Sequence, residues 1–180
     1  MPKWYGGSTL NPDELVPKSE QWRNQWNRAL RWHARVQRIE EKSKKHELDI
    51  GDMDVVLAFF QNCYHVRDWI AACKPEFKNK LADLFRNHFE MGACRDVCNG
   101  FKHKALTNPT HDKDFNLYCE YDYFEVISGS GNSPVKYSAV FADGSDVKKF
   151  ELFTLAATCV ALWRRFLGDT GLEVTHEKIC

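Results

Sequence analysis

The chain has 180 residues, 43% of them hydrophobic and 28% charged, with 25 Lys plus Arg set against 25 Asp plus Glu. That length suits one domain with a proper core, and the cancelled charge excludes a global pull toward nucleic acid or anionic lipid. No run of about 18 uninterrupted apolar residues is present and the first residues lack a secretion-type apolar stretch, so the expectation is a cytoplasmic protein with no membrane partner.

Residues 1–18, rich in Gly, Pro, Ser and Asp, are predicted to be an irregular arm. Ser19 is the expected N-cap of a first helix running from Glu20 to about Lys45. At about 100° per residue, Trp22, Trp26, Ala29, His33 and Val36 share one face of it, while Arg28, Arg31, Arg35, Arg38 and Lys42 fall on the opposite face. Gly51-Asp52 punctuates the chain before a second helix, from about Met53 to Cys73, with Val55, Phe59, Val66, Ile70 and Cys73 as its apolar stripe. Lys74-Pro75 ends that helix, because proline cannot continue the ladder and restricts the residue before it.

A third helix is predicted from about Phe77 to Leu106, bent near Gly92 or Gly100, and closed by Thr107-Asn108-Pro109-Thr110. Beyond Asp112 the pattern turns to that of strands. FNLYCEYDYFEVI and VKYSAVFA, joined by SGSGNSP, read as an antiparallel hairpin. The glycines of SGSGNSP lie between strands and do not open a helix, so they are a turn and not a phosphate loop. A last helix is expected from Val147 or Lys148, with Phe150, Phe153, Ala157, Val160, Trp163 and Leu167 buried and Gly168 at its end. The expected fold is therefore mainly α: a four-helix bundle with a β-hairpin at about 114–142 inserted between the third and fourth helices. It forms one domain over 19–168, followed by a tail over 169–180.

CRDVCNGFKH, Cys94 to His103, interrupts the apolar third helix with charge. Projected onto one continuous helix, Arg95, Asn99, Lys102 and His103 extend the stripe of Leu81, Leu84, Phe85, His88 and Gly92, so they face the interior seam. Cys94, Val97 and Phe101 fall on the other side. Buried charges need partners, and the second helix, packed antiparallel, offers Tyr64, His65 and Asp68. Two readings stay open. In one, Arg95 clamps a phosphate, His103 moves a proton and Asn99 orients a substrate oxygen, with His65, Asp68 and Asp96 behind them. In the other, the cluster is a closed structural network in which Arg95 pairs with Asp68 or Asp96, and the protein is a non-enzymatic interaction partner or scaffold.

A helical bundle in which an Arg is followed by a polar residue and then a His resembles the HEPN family (higher eukaryotes and prokaryotes nucleotide-binding). Arg95-Asp96 matches the first half of that motif, and His103 stands farther along than the family's usual spacing. The resemblance implies an RNA- or nucleotide-binding helical bundle, often a homodimer, whose active members are metal-independent endoribonucleases. FFQNCYHVRDWI and ALWRRFL also resemble segments of uncharacterised bacterial and phage-associated proteins, which imply no chemistry.

The basic stripe of the first helix could follow a phosphate backbone, with Trp32 as a stacking surface, or be a solvated helix face. The seven cysteines, an odd count without paired spacing, read as reduced, partly buried thiols. A metal site can be drawn from Cys94 and Cys98 with Cys63 or His103. Without a CxxC pair the pattern does not support it, and neither metal nor cofactor is expected.

Overall fold

A computed structural model describes residues 16–45, 50–102, 114–120, 136–143 and 146–172. The chain is mainly helical. Helix α1 spans Trp22–Ser43, α2 Ile50–Cys73, α3 Lys78–Asn87, α4 Phe89–Lys102 and α5 Leu152–Asp169. Between α4 and α5 lie three strands, β1 (Asp114–Glu120), β2 (Lys136–Asp143) and β3 (Asp146–Glu151), paired antiparallel in that order. Among the described residues, no helix is long and apolar enough to cross a membrane. The expected arm lies largely outside the described residues, as do most of the expected tail and the whole of SGSGNSP.

Helix α1 buries the face that its sequence period marks. Trp22, Trp26, Ala29, Val36 and Ile39 are all in the core, and His33 is half-buried at its margin. Ser19 does not cap it. Lys18–Glu20 form a short 3₁₀ turn first, and the residue before α1 is Gln21, whose side chain makes no cap bond. A polar clasp fixes α1 on α2: Gln25 Nε2 donates to the Asn62 carbonyl at 2.8 Å, and Arg28 donates to Gln25 Oε1 at 3.0 Å.

The expected third helix is two helices. At His88 the backbone is extended (φ −120°, ψ 113°), and the His88 carbonyl accepts from Met91 N and Gly92 N, each at 3.2 Å, to start α4. Neither Gly92 nor Gly100 bends the chain; both lie inside α4. The break resets the helical phase. α3 buries Leu81, Leu84 and Phe85, and α4 buries Met91, Ala93, Cys94, Val97 and Cys98. In one unbroken helix these two sets would face opposite ways, and either would forfeit roughly 1.5–3 kcal/mol per large side chain left in water.

The start of the last helix also differs from expectation. Residues 146–151 add a third strand to β2, and α5 begins only at Leu152. Glu151 marks the change: its carboxylate accepts from Phe153 N at 2.8 Å and Thr154 N at 2.7 Å, satisfying two of the helix's unpaired donors. Leu155, Ala156, Cys159, Val160, Trp163, Phe166 and Leu167 of α5 are buried, whereas Ala157 is exposed. Phe150 of β3 stacks on Phe89 of α4 at 4.8 Å, and Tyr137 of β2 lies 6.0 Å from Phe153, tying strands to helices.

Candidate functional site

The polar cluster of α4 is not on the interior seam. Arg95 and Asn99 are half-buried, while Cys94, Val97 and Cys98 take the core positions. The cause is the phase reset at His88, which moves Arg95 and Asn99 off the inward line. Asp96 is the exception, at only 1% exposure, and its charged neighbour is Arg95, whose Nε lies 3.4 Å from Asp96 Oδ1. The expected support from α2 is placed differently. Asp68 is exposed and, among the described residues, forms no ion pair with Arg95; His65 is half-buried beside Tyr64, their ring centroids 6.1 Å apart. Tyr64 packs edge-on against Phe85 and accepts from Arg67 at 2.9 Å. His103 lies outside the described residues.

The basic stripe of α1 is assembled more fully. Arg28, Arg31, Arg35 and Arg38 are all exposed, along one side of the helix. Two of them lie over indoles: Arg35 over Trp32, 4.3 Å from the ring centroid, and Arg28 over Trp69 of α2 at 6.0 Å. Arg38 is held by a bond from its Nε to the Ala34 carbonyl at 3.3 Å. Lys42 does not belong with them. Its ammonium sits 2.7 and 2.9 Å from the two carboxylate oxygens of Asp52, so it joins α1 to α2.

The stripe is set apart by holding four cations along one side of a single helix. Several cations elsewhere meet carboxylates: Arg23 and Lys74 meet Glu20, Lys44 meets Glu41, Arg86 meets Asp83, and Arg95 meets Asp96, whereas Lys80, Arg164 and Arg165 make no ion pair among the described residues. Among the described residues, none of Arg28, Arg31, Arg35 and Arg38 has a carboxylate partner. A chain of zero formal charge therefore carries a positive strip about 15 Å long, at 1.5 Å per helical residue, with no carboxylate paired to it among the described residues. By contrast, a cleft of about 310 Å³ between α3 and α5 sets Lys80 and Arg165 against Asp83 and Asp169 and presents no such field.

A second constellation is a group of three cysteines. Cys63 of α2, Cys94 of α4 and Cys159 of α5 bring their sulfurs within 4.8 Å of one another, all at zero exposure. Cys94 Sγ donates to the Phe60 carbonyl at 3.7 Å, and Cys159 Sγ to the Glu90 carbonyl at 3.5 Å. Burial, then the neighbouring sulfurs, pushes the Cys94 thiol well up. For Cys63 desolvation acts upward too, but donors from Cys159, Cys94 and Trp163 outweigh it and draw the thiol down. The set drawn from sequence, and not supported there, was Cys94 and Cys98 with Cys63 or His103, and it lacked Cys159. The heptad-like run Leu152, Ala156, Cys159, Trp163 and Phe166 is the signal that places Cys159 inward. No family model, curated protein or solved structure matches the chain.

Proposed function

We propose that this protein is an RNA-binding helical bundle that holds the phosphate backbone along α1. The observation that carries the reading is the set of four exposed arginines on one side of α1, Arg28, Arg31, Arg35 and Arg38, without carboxylate partners among the described residues. The strip's length corresponds to the axial rise of about four phosphates of one strand, which favours a polymer over a mononucleotide. Trp32 and Trp69 each lie beneath an arginine, and the face is opened to a stacking base where that guanidinium turns to a phosphate.

The test is binding of a labelled single-stranded RNA, read by fluorescence anisotropy, for the wild type and for a variant with all four arginines changed to Gln. The wild type should bind and the variant should lose at least tenfold in affinity with an unchanged circular dichroism spectrum. Equal binding by the two proteins refutes the proposal.

Cleavage of the bound strand is the HEPN-like extension of this reading, with Arg95 as phosphate clamp and Asn99 and His103 beside it. Its support is the position of Arg95 and Asn99 one turn apart on α4, both half-buried. RNA degradation in EDTA by the wild type, abolished in His103→Ala, is the outcome it requires. The scaffold reading is favoured by a different observation: Arg95 is paired with the buried Asp96. It requires that Arg95→Ala lower the melting temperature sharply; loss of RNA binding with unchanged stability would count against it.

A further inference from the structure

Three of the seven cysteines, on three different helices, converge on one point of the core. A single buried cysteine acts as a small hydrophobe and calls for no further account. Three sulfurs within 4.8 Å of one another are different, because each is also a soft metal ligand once its proton leaves. The indole of Trp163 is a second, independent sign. It is fully buried, and its Nε1 has no hydrogen-bond partner among the described residues. A buried N–H left without an acceptor is better served by a nearby thiolate than by a neutral thiol.

We propose that Cys63, Cys94 and Cys159 form an internal site for one thiophilic d10 cation. Metal–sulfur bonds of about 2.3 Å around one ion would set the three sulfurs about 4 Å apart. The present spacing therefore needs to contract by less than an ångström. Each cysteine that ligates exchanges its thiol proton, released to solvent, for a bond to the metal; no electron is transferred. Among the described residues the cluster holds three His, Cys or carboxylate donors and no fourth. Three soft donors suit univalent copper, which accepts that number, whereas zinc takes four. Charge acts the other way: three thiolates leave two negative charges with univalent copper and one with zinc. For zinc the Glu90 or Phe60 carbonyl, now an acceptor beside the sulfurs, would complete the set.

Zero exposure of all three sulfurs means that the ion goes in as the chain folds. The reduced chain would therefore be refolded anaerobically with one equivalent of univalent copper or, separately, of zinc, and then desalted. The wild type and Cys98→Ala should each retain about one ion per chain of at least one of the two metals, with a raised melting temperature. Cys159→Ala should retain less than a tenth of that. X-ray absorption of the loaded wild type should give three sulfur neighbours at roughly 2.3 Å. This last measurement needs no variant and decides the matter even if Cys159→Ala fails to fold. Retention of neither metal by folded wild type, fewer than three sulfur neighbours, or equal retention by Cys159→Ala would each overturn the proposal.

Discussion

His33 sits at the margin of the core, its ring tilted against Phe59 with centroids 5.6 Å apart. Burial lowers its affinity for a proton, and the nearby Arg164 guanidinium on α5 lowers it further. A histidine whose folded pKa is depressed binds fewer protons folded than unfolded. Its contribution to stability is whole above the unfolded value near 6.5 and is lost as pH falls below that value toward the folded one. NMR titration of His33 should thus give a midpoint below 6.5, and Arg164→Ala should move it up; a midpoint at or above 6.5 would count against this placement. The same desolvation logic explains why Arg95 and Asn99 look interior in the sequence and are half-buried in the fold. An amide and a guanidinium on an apolar helix look buried and demanding when the helix is taken as continuous. Half-exposed, each keeps part of its hydration, and only Asp96 needs a partner close at hand.

Between elements, the join that sequence periodicity hides is Lys42–Asp52. Lys42 shares an angular position with the arginine stripe, yet it reaches over to the first turn of α2, where Asp52 is 7% exposed and the helix dipole also favours its charge. Lys42→Met should cost about 1–2 kcal/mol in urea unfolding, at the low end for a buried charge because the lysine itself is partly exposed. Adding Asp52→Asn should restore part of that loss, and a Lys42→Met cost indistinguishable from zero would show that the pair holds nothing. Periodicity read well where one element keeps one face: the Trp22, Trp26, Ala29 and Val36 stripe is buried as its spacing predicts. It failed at the joints. The jump from Leu81, Leu84 and Phe85 to Met91, Cys94 and Val97 is out of phase for a single helix, and that mismatch was itself the sign of a break at His88. Likewise Val147 to Glu151 suits a helix by composition, but strand pairing with β2 takes those residues and Glu151 caps the helix that follows.

For the molecule as a whole, zero net charge and RNA binding are compatible only if the binding field is local, and locality has a measurable signature. If long-range attraction were responsible, replacing any surface cation would weaken binding by a similar small amount. If the strip on α1 is responsible, cations already paired with carboxylates, such as Arg86 with Asp83, contribute little, and each unpaired arginine releases counterions from one phosphate. For single strands each phosphate contributes about 0.7 to the slope of log affinity against log salt, so four give a slope of about −3. A fourfold rise in salt should then weaken wild-type binding about fiftyfold. Arg31→Gln alone should reduce the slope by about 0.7, Arg86→Gln should leave it unchanged, and the four-arginine variant should bring it close to zero. Trp32→Ala belongs to the other component: it should lower affinity at every salt concentration by about 1–3 kcal/mol per stacked base and leave the slope alone. A slope that drops as much for Arg86→Gln as for Arg31→Gln would assign binding to diffuse charge and remove α1 from its role.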